Sequence, residues 1–272
     1  MRRAAKRPDA ETIHDVRVAI RRLRQALTMF RDELPKSLAD KADKRLRKLL
    51  KAAGKVRNFD VSMELLQRFR ASEPKLMRLL RKDRQDLARD LQTQLAAMHE
   101  KRTVEKWRAK LADRAGRDGQ DAKHGDDVTR KRLASLAVEF FNAGAEAATD
   151  DSAPEALHNF RIRSKKFRYT LELFPSLYDS DLARRIATIR KLQTRLGEIN
   201  DFISTAAMLK RYRREHAWAA TTEVQASIGR LQRGAARKID AFRNSWRKSF
   251  SSEQKRDWTH YFTGRNAANL TK

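Results

Sequence analysis

An eleven-residue pattern occurs twice in this sequence, and its repetition constrains the fold more than any other feature. The stretch "HDVRVAIRRLR" covers residues 14–24, and "HNFRIRSKKFR" covers residues 158–168. An offset of 144 residues aligns apolar with apolar positions, such as Ile13 with Leu157, and basic with basic ones. Internal similarity of this kind indicates equivalent structural units. We therefore predict a tandem of two helical bundles packed with pseudo-two-fold symmetry.

Apolar spacing predicts that nearly all of the chain is helical. Apolar residues around the first pattern recur in steps of three and four, which is the period of a helix with one buried face. This helix should begin near Asp9 and end before Pro35. A second helix is expected over residues 38–53 with Gly54 as its terminator, and a third near Arg57.

The remaining helices follow the same logic. A long fourth helix should begin after Pro74 and continue toward Leu111. The Gly/Asp-rich stretch at residues 116–127 is typical of a linker, and a helix over 128–148 should follow it. The "SAPE" sequence at residues 152–155 has the spacing of a capping box before the second histidine helix.

A second alignment, with an offset of 143, extends the repeat to the helices that follow the histidine helices. It pairs Gly54 with Gly197, and it also pairs two cations in each half, Arg47 with Arg190 and Lys48 with Lys191. The sequence thus predicts a first half over residues 1–125 and a second half, including a C-terminal tail, over residues 126–272.

The charge balance indicates an anionic partner. The 272 residues include 62 Lys and Arg against 35 Asp and Glu, a net charge of +27. Such an excess repels itself in the compact state, so a polyanion is the natural ligand. Nucleic acid, an anionic membrane surface and inorganic polyphosphate are the candidates. The absence of cysteine excludes disulfides and Cys-based zinc sites.

The basic residues of the histidine helix lie beside its apolar face. At about 100° per residue, with His14 at zero, Arg17, Arg21 and Arg24 fall at about −60°, −20° and −80°. This stripe borders the apolar sector, while Arg22 points well away. Cations there are partly desolvated and repel one another. Because the helix has no acidic residue on this stripe, we favour a bound anion as the counter-charge. The alternative is that the side chains extend into solvent or pair with acidic residues of other helices.

These residues resemble the conserved histidine α-helical domain family, known as CHAD. Its pattern is H-x-x-R-x-x-x-[RK]-[RK]-x-R, followed by a helix that ends in a glycine turn before an R-D or N-D element. The first half shows "HDVRVAIRRLR" and then "GKVRNFDV", and the second shows "HNFRIRSKKFR" and then "GEINDFI". The similarity covers about residues 9–250. The first half departs from the pattern in having Asn58 where Asp is usual.

The resemblance implies an all-α fold of two four-helix bundles, with long antiparallel helices around a basic central groove or pore. It implies inorganic polyphosphate as the ligand, which sulfate or phosphate ions should mimic, and a stand-alone, non-catalytic binding module without a cofactor or metal. The contact residues carried over are, in the first rank, His14, Arg17, Arg21, Arg24, His158, Arg161, Lys165 and Arg168, and in the second rank Arg47, Lys48, Arg57, Arg190 and Lys191.

Other functions stay open at this point. Nucleic-acid binding is the second choice, because aromatic residues are only 7 % of the chain and form no evident stacking platform. A phosphate-processing enzyme or a histidine phosphotransfer module is a further alternative, although no clustered carboxylates or P-loop are evident. Membrane-surface binding is weaker still. Without a signal peptide or an apolar run of about 20 residues, we expect a cytoplasmic protein, associated with polyphosphate granules.

Overall fold

A computed structural model describes the structure of most of the chain, namely residues 2–69, 73–115, 122–175, 178 and 180–263. All regular structure in these ranges is helical, and no strand occurs within them, so the all-α prediction is confirmed. The α-helices there are α1 (Arg2–Lys6), α2 (Ala10–Met29), α3 (Lys36–Arg68), α4 (Pro74–Glu100), α5 (Thr103–Ala115), α6 (Ala122–Ala147), α7 (Pro154–Leu171), α8 (Ser180–Glu215), α9 (Thr222–Ser249) and α10 (Ser252–Thr263).

The helices form two compact units. One contains the described residues of 1–118 and 201–235, and the other contains those of 119–200 and 236–272. Helices α8 and α9 each contribute to both units, so neither unit is a continuous stretch of sequence. The division into halves at residues 125 and 126, and the internal repeat itself, stay predictions.

The first unit has two apolar cores. One is built by α1 to α4 around Ile13, Leu46 and Leu91, with Trp107 of α5 packed at its edge. The other joins the end of α3 and the start of α4 to residues of α8 and α9, and Trp218 packs against it. Within this second core Ser62 and Thr205 share a buried hydrogen bond of 3.0 Å. The first histidine helix, α2, packs its apolar face on the first of these cores through Ile13, Val16, Ile20 and Leu27.

The second unit has one large aromatic core. Phe140, Phe160 and Phe167 are almost fully buried in it, together with Trp246 and Trp258. Trp246 comes from α9 and Trp258 from α10, so aromatic residues near the C-terminal end of the described chain pack onto the helical core. The second histidine helix, α7, lies against this core through Leu157, Phe160, Phe167 and Leu171.

The start of the first histidine helix matches the prediction. Asp9 is its N-cap residue, and its carboxylate accepts a hydrogen bond of 2.8 Å from the backbone N–H of Thr12. This hydrogen bond lowers the pKa of Asp9. The predicted capping box before α7 is wrong, because the Ser152 hydroxyl donates to the carbonyl oxygen of Ala147 and the N-cap residue is Ala153.

The prediction that Gly54 terminates a helix is wrong, because α3 runs through it without interruption from Lys36 to Arg68. The predicted second and third helices are thus one. Buried positions continue at helical spacing across the glycine, as Leu49, Ala53 and Val56 show. Burial of this face outweighs the cost of roughly 0.5–1 kcal/mol for a glycine in a helix interior. Helix α8 passes through Gly197 in the same way.

Two further boundaries differ from the prediction. The fourth helix ends at Glu100, and Arg102, with a φ of 45°, separates it from α5. Residues 116–121 of the predicted linker lie outside the described residues, whereas residues 122–127 belong to α6, which begins before the expected start at Val128. No helix in the described part of the chain is long and apolar enough to span a membrane.

Candidate anion-binding site

The basic stripe of α2 lies at the edge of the core, as its angular position predicted. His14 is exposed, whereas Arg17, Arg21 and Arg24 are half-buried, and Arg22 on the other side of the helix is exposed. Ile13, Val16 and Ile20 interleave with these cations and are buried. The guanidinium groups are therefore partly withdrawn from water, where electrostatic interactions are stronger than at a fully solvated surface.

One carboxylate in the first unit joins α2 to α3. Asp43 accepts from Nε of Arg24 at 2.7 Å with one oxygen and contacts Nη2 of Arg47 at 2.6 Å with the other. The Asp43 side chain is only 18 % exposed, and that of Arg24 is 30 % exposed. Because the carboxylate uses only the Nε edge of Arg24, the terminal nitrogens of this guanidinium keep donors that Asp43 does not use.

A second ion pair closes the same helical hairpin. Arg31 donates to the carboxylate of Asp40, and this hydrogen bond lowers the pKa of Asp40. Arg24 near the end of α2 and Arg31 in the turn after it thus both pair with the N-terminal part of α3, and these pairs hold the two helices together beside Arg24 and Arg47.

The second unit contains a related arrangement. His158 is exposed, and Arg161, Lys165 and Arg168 are half-buried on α7. Glu172 contacts Nη1 of Arg168 at 2.6 Å and Nη2 of Arg190 at 2.9 Å, with its own side chain only 10 % exposed. A histidine-helix arginine and an arginine of the following helix again share one carboxylate.

Gln193 adds a further hydrogen bond in this unit. Its Oε1 accepts from Nε of Arg168 at 2.7 Å, while its Nε2 donates to the backbone carbonyl of Ser164 at 2.7 Å. The Arg168 guanidinium is therefore held by an amide on one edge and by a carboxylate on the other.

These contacts correct one step of the sequence argument. We predicted that the histidine helix itself has no acidic residue on the stripe and favoured a bound anion over pairing with acids of other helices, but Arg24 and Arg168 each pair with a carboxylate. Asp43 belongs to the neighbouring helix, so its contact is tertiary and leaves no local signal. Glu172 lies four residues after Arg168, a spacing at which helical side chains meet, and this signal was available in the sequence. Gln193 was missed because its contact, too, is tertiary.

Arg17 lies against α3 at the glycine that the sequence predicted to be a turn. A methyl group built on Gly54 would lie 2.9 Å from Nη1 of Arg17. The guanidinium thus occupies the space that any other residue at position 54 would fill. Arg17 and Arg24 both meet α3, one at Gly54 and the other at Asp43.

The remaining predicted contact residues lie on the helix that follows each histidine helix, α3 in the first unit and α8 in the second. Lys48 and Lys191 are exposed, and neither has an ion-pair partner among the residues that the structure describes. Arg57 is half-buried on α3, three residues after Gly54. Arg47 and Arg190 are exposed apart from the carboxylates that they share with the histidine helices.

Helix α3 carries a row of lysines beside Arg47, and we call it the α3 lysine face. With Arg47 at zero, its members fall within about 40–120° around the helix. They span about 21 Å along the helix axis. All are exposed, and none has an ion-pair partner within the described ranges. The face consists of Lys41, Lys44, Lys48, Lys51 and Lys55.

The corresponding positions of α8 carry fewer unpaired cations. With the offset of 143, the α3 lysine face aligns with Arg184, Ala187, Lys191, Thr194 and Glu198. Arg184 pairs with Asp181, and Glu198 reverses the charge. The first unit is therefore the more cationic along this helix. Of this face, only Lys48 was named as a contact from the sequence. Lys41, Lys44 and Lys51 also lie within the predicted second helix, and Lys55 joins them because α3 continues past Gly54.

No three His, Asp or Glu side chains are grouped so that they could hold a metal ion in the part of the chain that the structure describes. The arrangement in each unit is instead a set of cations beside an apolar core, two of them held by a shared carboxylate. Such sites bind phosphate oxygens through guanidinium forks and ammonium groups.

Comparisons with known proteins identify the family. Residues 2–210 match the CHAD domain family. The fold is similar to that in the crystal structure of the CHAD domain from the plant Ricinus communis, with a TM-score of 0.69 and 24 % sequence identity over 93 % of this chain and 82 % of that chain. None of the curated proteins compared with the sequence matches it. Since the family match covers well over half of the 272 residues, the chain belongs to the CHAD domain family.

Proposed function

We propose that this protein binds inorganic polyphosphate without acting on it chemically, through the basic residues of its histidine helices and of the helices that follow them. In the first unit the contacts come from His14, Arg17, Arg21, Arg24, Arg47, Lys48 and Arg57. In the second unit they come from His158, Arg161, Lys165, Arg168, Arg190 and Lys191.

The half-burial of Arg21 beside other cations carries this proposal. Arg21 lies between Arg17 and Arg24 on one helix face, and no hydrogen bond or ion pair of its side chain occurs within the described residues. A partly desolvated cation next to like charges is destabilised unless a counter-charge is supplied. An anion bound along the stripe supplies that charge for several cations at once.

The α3 lysine face favours an extended ligand over a single phosphate. Its five ammonium groups span about 21 Å along α3. A linear polyanion can contact many of these groups in succession, and each contact releases counterions from the ligand. Lysines act as point charges that tolerate different ligand conformations, while the held guanidinium groups of Arg24 and Arg168 provide directional contacts.

Family membership points the same way, because CHAD domains are associated with polyphosphate binding. The residues described above give that association a chemical basis in this chain. The first-rank arginines and Lys165 are half-buried at the edge of the core, the two histidines are exposed, and the second-rank cations are mostly exposed.

Calorimetric titration with polyphosphates of defined chain length tests the proposal. The first-unit variant Arg17→Ala, Arg21→Ala, Lys48→Ala and the second-unit variant Arg161→Ala, Lys165→Ala, Lys191→Ala each remove three positive charges. Each is expected to lose at least about 100-fold in affinity, since charged hydrogen bonds contribute roughly 1.5–3 kcal/mol apiece. Affinity should rise with chain length and fall steeply with salt.

A charge-matched control separates site binding from a general effect of net charge. Lys106, Arg108 and Lys110 lie on α5, which packs on α4, and their side chains are exposed. Replacing all three by alanine removes the same charge and should change the affinity by less than about three-fold. If this variant loses as much affinity as the stripe variants, the contact residues are wrongly assigned.

Comparing the two triple variants tests whether one polyphosphate chain contacts both histidine helices. If one ligand contacts both, short polyphosphates should bind with one-to-one stoichiometry and respond to either variant. Two independent binding events, each removed by only one variant, would contradict a shared ligand while leaving polyphosphate binding intact.

Competition and turnover assays test the other functions. Excess polyphosphate should displace duplex DNA from the protein, and DNA should not displace polyphosphate; the reverse order would favour nucleic-acid binding. The protein should release no phosphate from polyphosphate, and phosphate release abolished by His14→Ala would show an enzyme instead.

A cytoplasmic location at polyphosphate granules is part of the proposal, and fluorescence microscopy with the first-unit variant as control tests it.

A further inference from the structure

Gly54 occupies a position at which alanine would favour the helix. It lies in the interior of the 33-residue helix α3, between the buried residues Ala53 and Val56. Glycine destabilises a helix interior relative to alanine, because it loses more backbone entropy on folding. The helix forms in spite of this residue, so its presence calls for a specific reason.

The surroundings of Gly54 supply that reason. A methyl group at this position would come within 2.9 Å of Nη1 of Arg17, closer than such atoms approach in proteins, and no other side chain lies within 4 Å of it. The steric conflict is therefore with one atom of one cation. Nothing in the apolar core requires a glycine here.

Other glycines of the chain differ in this respect. At Gly144 and Gly234 an added methyl would meet the aromatic rings of Trp246 and Phe202, so these glycines serve core packing. Gly197, which aligns with Gly54, would place its methyl in open space with no atom within 4 Å. At Gly229 the added methyl would lie 3.3 Å from Nη1 of Arg233 of the same helix, whereas Gly54 meets a cation of a neighbouring helix at 2.9 Å.

We propose that Gly54 is a positioning residue for Arg17: by having no side chain, it lets the Arg17 guanidinium lie against α3 in line with the other cations of the stripe. This inference rests on the proposed polyphosphate binding, and it adds a residue that itself makes no contact with the ligand. Alanine at position 54 moves the guanidinium away from α3, which misaligns one directional phosphate contact while leaving its charge in place.

The substitution Gly54→Ala separates positioning from structural support, because its two effects have opposite signs. The midpoint of thermal unfolding should stay equal or rise, since alanine favours the helix and the conflicting atom is at the end of a flexible side chain. Affinity for polyphosphate should fall by about three- to ten-fold, as expected when one charged hydrogen bond is weakened. Gly197→Ala, the matched control, should raise the midpoint and leave the affinity unchanged.

A double-mutant cycle assigns the loss to Arg17. In an Arg17→Ala background, Gly54→Ala should have no further effect on the affinity, because the displaced group is absent. An equal loss in both backgrounds would overturn the proposal. So would an unchanged affinity of the single variant, or a lower unfolding midpoint, which would show that the glycine serves packing.

A ligand-free measurement keeps this test independent of the proposed function. The Nε–Hε resonance of Arg17, observed by 15N NMR of the full chain and assigned with Arg17→Ala, should shift in Gly54→Ala and stay in place in Gly197→Ala. If the wild-type protein fails to bind polyphosphate, the proposed function fails while this resonance still reports whether Gly54 positions Arg17. A resonance that stays in place in both variants overturns the positioning role.

Discussion

Asp43 of α3 accepts a hydrogen bond of 2.7 Å from Nε of Arg24, the last cation of the first histidine stripe. The same carboxylate contacts Arg47 at 2.6 Å. Asp43 thus orients two arginines and also cancels one positive charge beside the proposed ligand. The second unit reaches the same balance with Glu172, which comes from a different place in the chain.

Asp43→Asn is expected to tighten polyphosphate binding and weaken the fold. Removing one negative charge beside Arg24 and Arg47 should raise the affinity by about two- to five-fold at low salt. Losing the carboxylate that joins α2 to α3 should cost about 1–3 kcal/mol of unfolding free energy. Calorimetric titration and urea unfolding measure the two effects.

Asp90→Asn provides the control for this change. Asp90 is exposed on α4 and has no ion-pair partner among the described residues, so the variant changes the net charge equally without touching the stripe. Its affinity and stability should stay close to those of the wild type. A lower affinity for Asp43→Asn would mean that orientation of the arginines matters more than the cancelled charge.

The α3 lysine face should contribute measurably to the salt dependence of binding. Replacing Lys44, Lys48, Lys51 and Lys55 by alanine should reduce the slope of log K against log salt by about 2–3, using the coefficient of about 0.7 per contact known for single-stranded polyanions. Titrations at several salt concentrations give the slope. The matched control replaces Lys101, Lys106, Arg108 and Lys110, and an equal change there would contradict a role for this face.

Two glycines should respond in opposite ways to the same substitution. At Gly144 an alanine methyl would lie 2.1 Å from the Trp246 ring, so Gly144→Ala should destabilise the protein by about 1–3 kcal/mol through overpacking. Gly197→Ala meets no atom within 4 Å and should stabilise α8 by roughly 0.5–1 kcal/mol. Thermal unfolding of both variants checks the signs, and a destabilised Gly197→Ala would contradict the description of α8.

Tyr212 should make the first unit sensitive to alkaline pH. Its ring is buried and its hydroxyl donates to Asp83, and burial followed by this hydrogen bond raises the pKa of Tyr212 well above its ordinary value of 10.0. The folded protein therefore keeps this proton where the unfolded chain loses it. The resulting stabilisation is full below pH 10 and is lost as the pH rises above it.

Comparison with Tyr212→Phe isolates this effect. The variant lacks the hydroxyl and should be less stable than the wild type by about 1–2 kcal/mol at neutral pH. Urea unfolding of both proteins between pH 8 and about 11 should show this difference shrinking above pH 10. A difference that is constant over this range would contradict the raised pKa.

The sequence predicts the histidine helices well because the residues that determine them lie close together in the chain. The three- and four-residue steps of Ile13, Val16 and Ile20 identify the buried face, and the same angles place Arg17 and Arg21 at its edge. Asp9 is a local cap for the same reason. Each of these predictions needs only residues within a few turns of one helix.

The prediction of a helix end from a single glycine was wrong. Glycine often follows a helix end, so Gly54 was interpreted as a terminator. The apolar spacing on both sides of it, from Leu49 to Val56, continues in phase and carries the stronger signal. The partner of Arg24 could not be predicted, since Asp43 reaches it only after two helices have packed together.

The tryptophans described in the cores are divided evenly between the two units, which makes each unit separately observable. Trp107 and Trp218 pack in the first unit, and Trp246 and Trp258 are buried in the aromatic core of the second. Phenylalanine at positions 107 and 218 would leave tryptophan fluorescence, excited at wavelengths where tyrosine does not absorb, only in the second unit, and the converse pair would leave it only in the first. The chain thus contains its own optical reporters for the order in which its two units unfold and for which of them responds to an added polyanion.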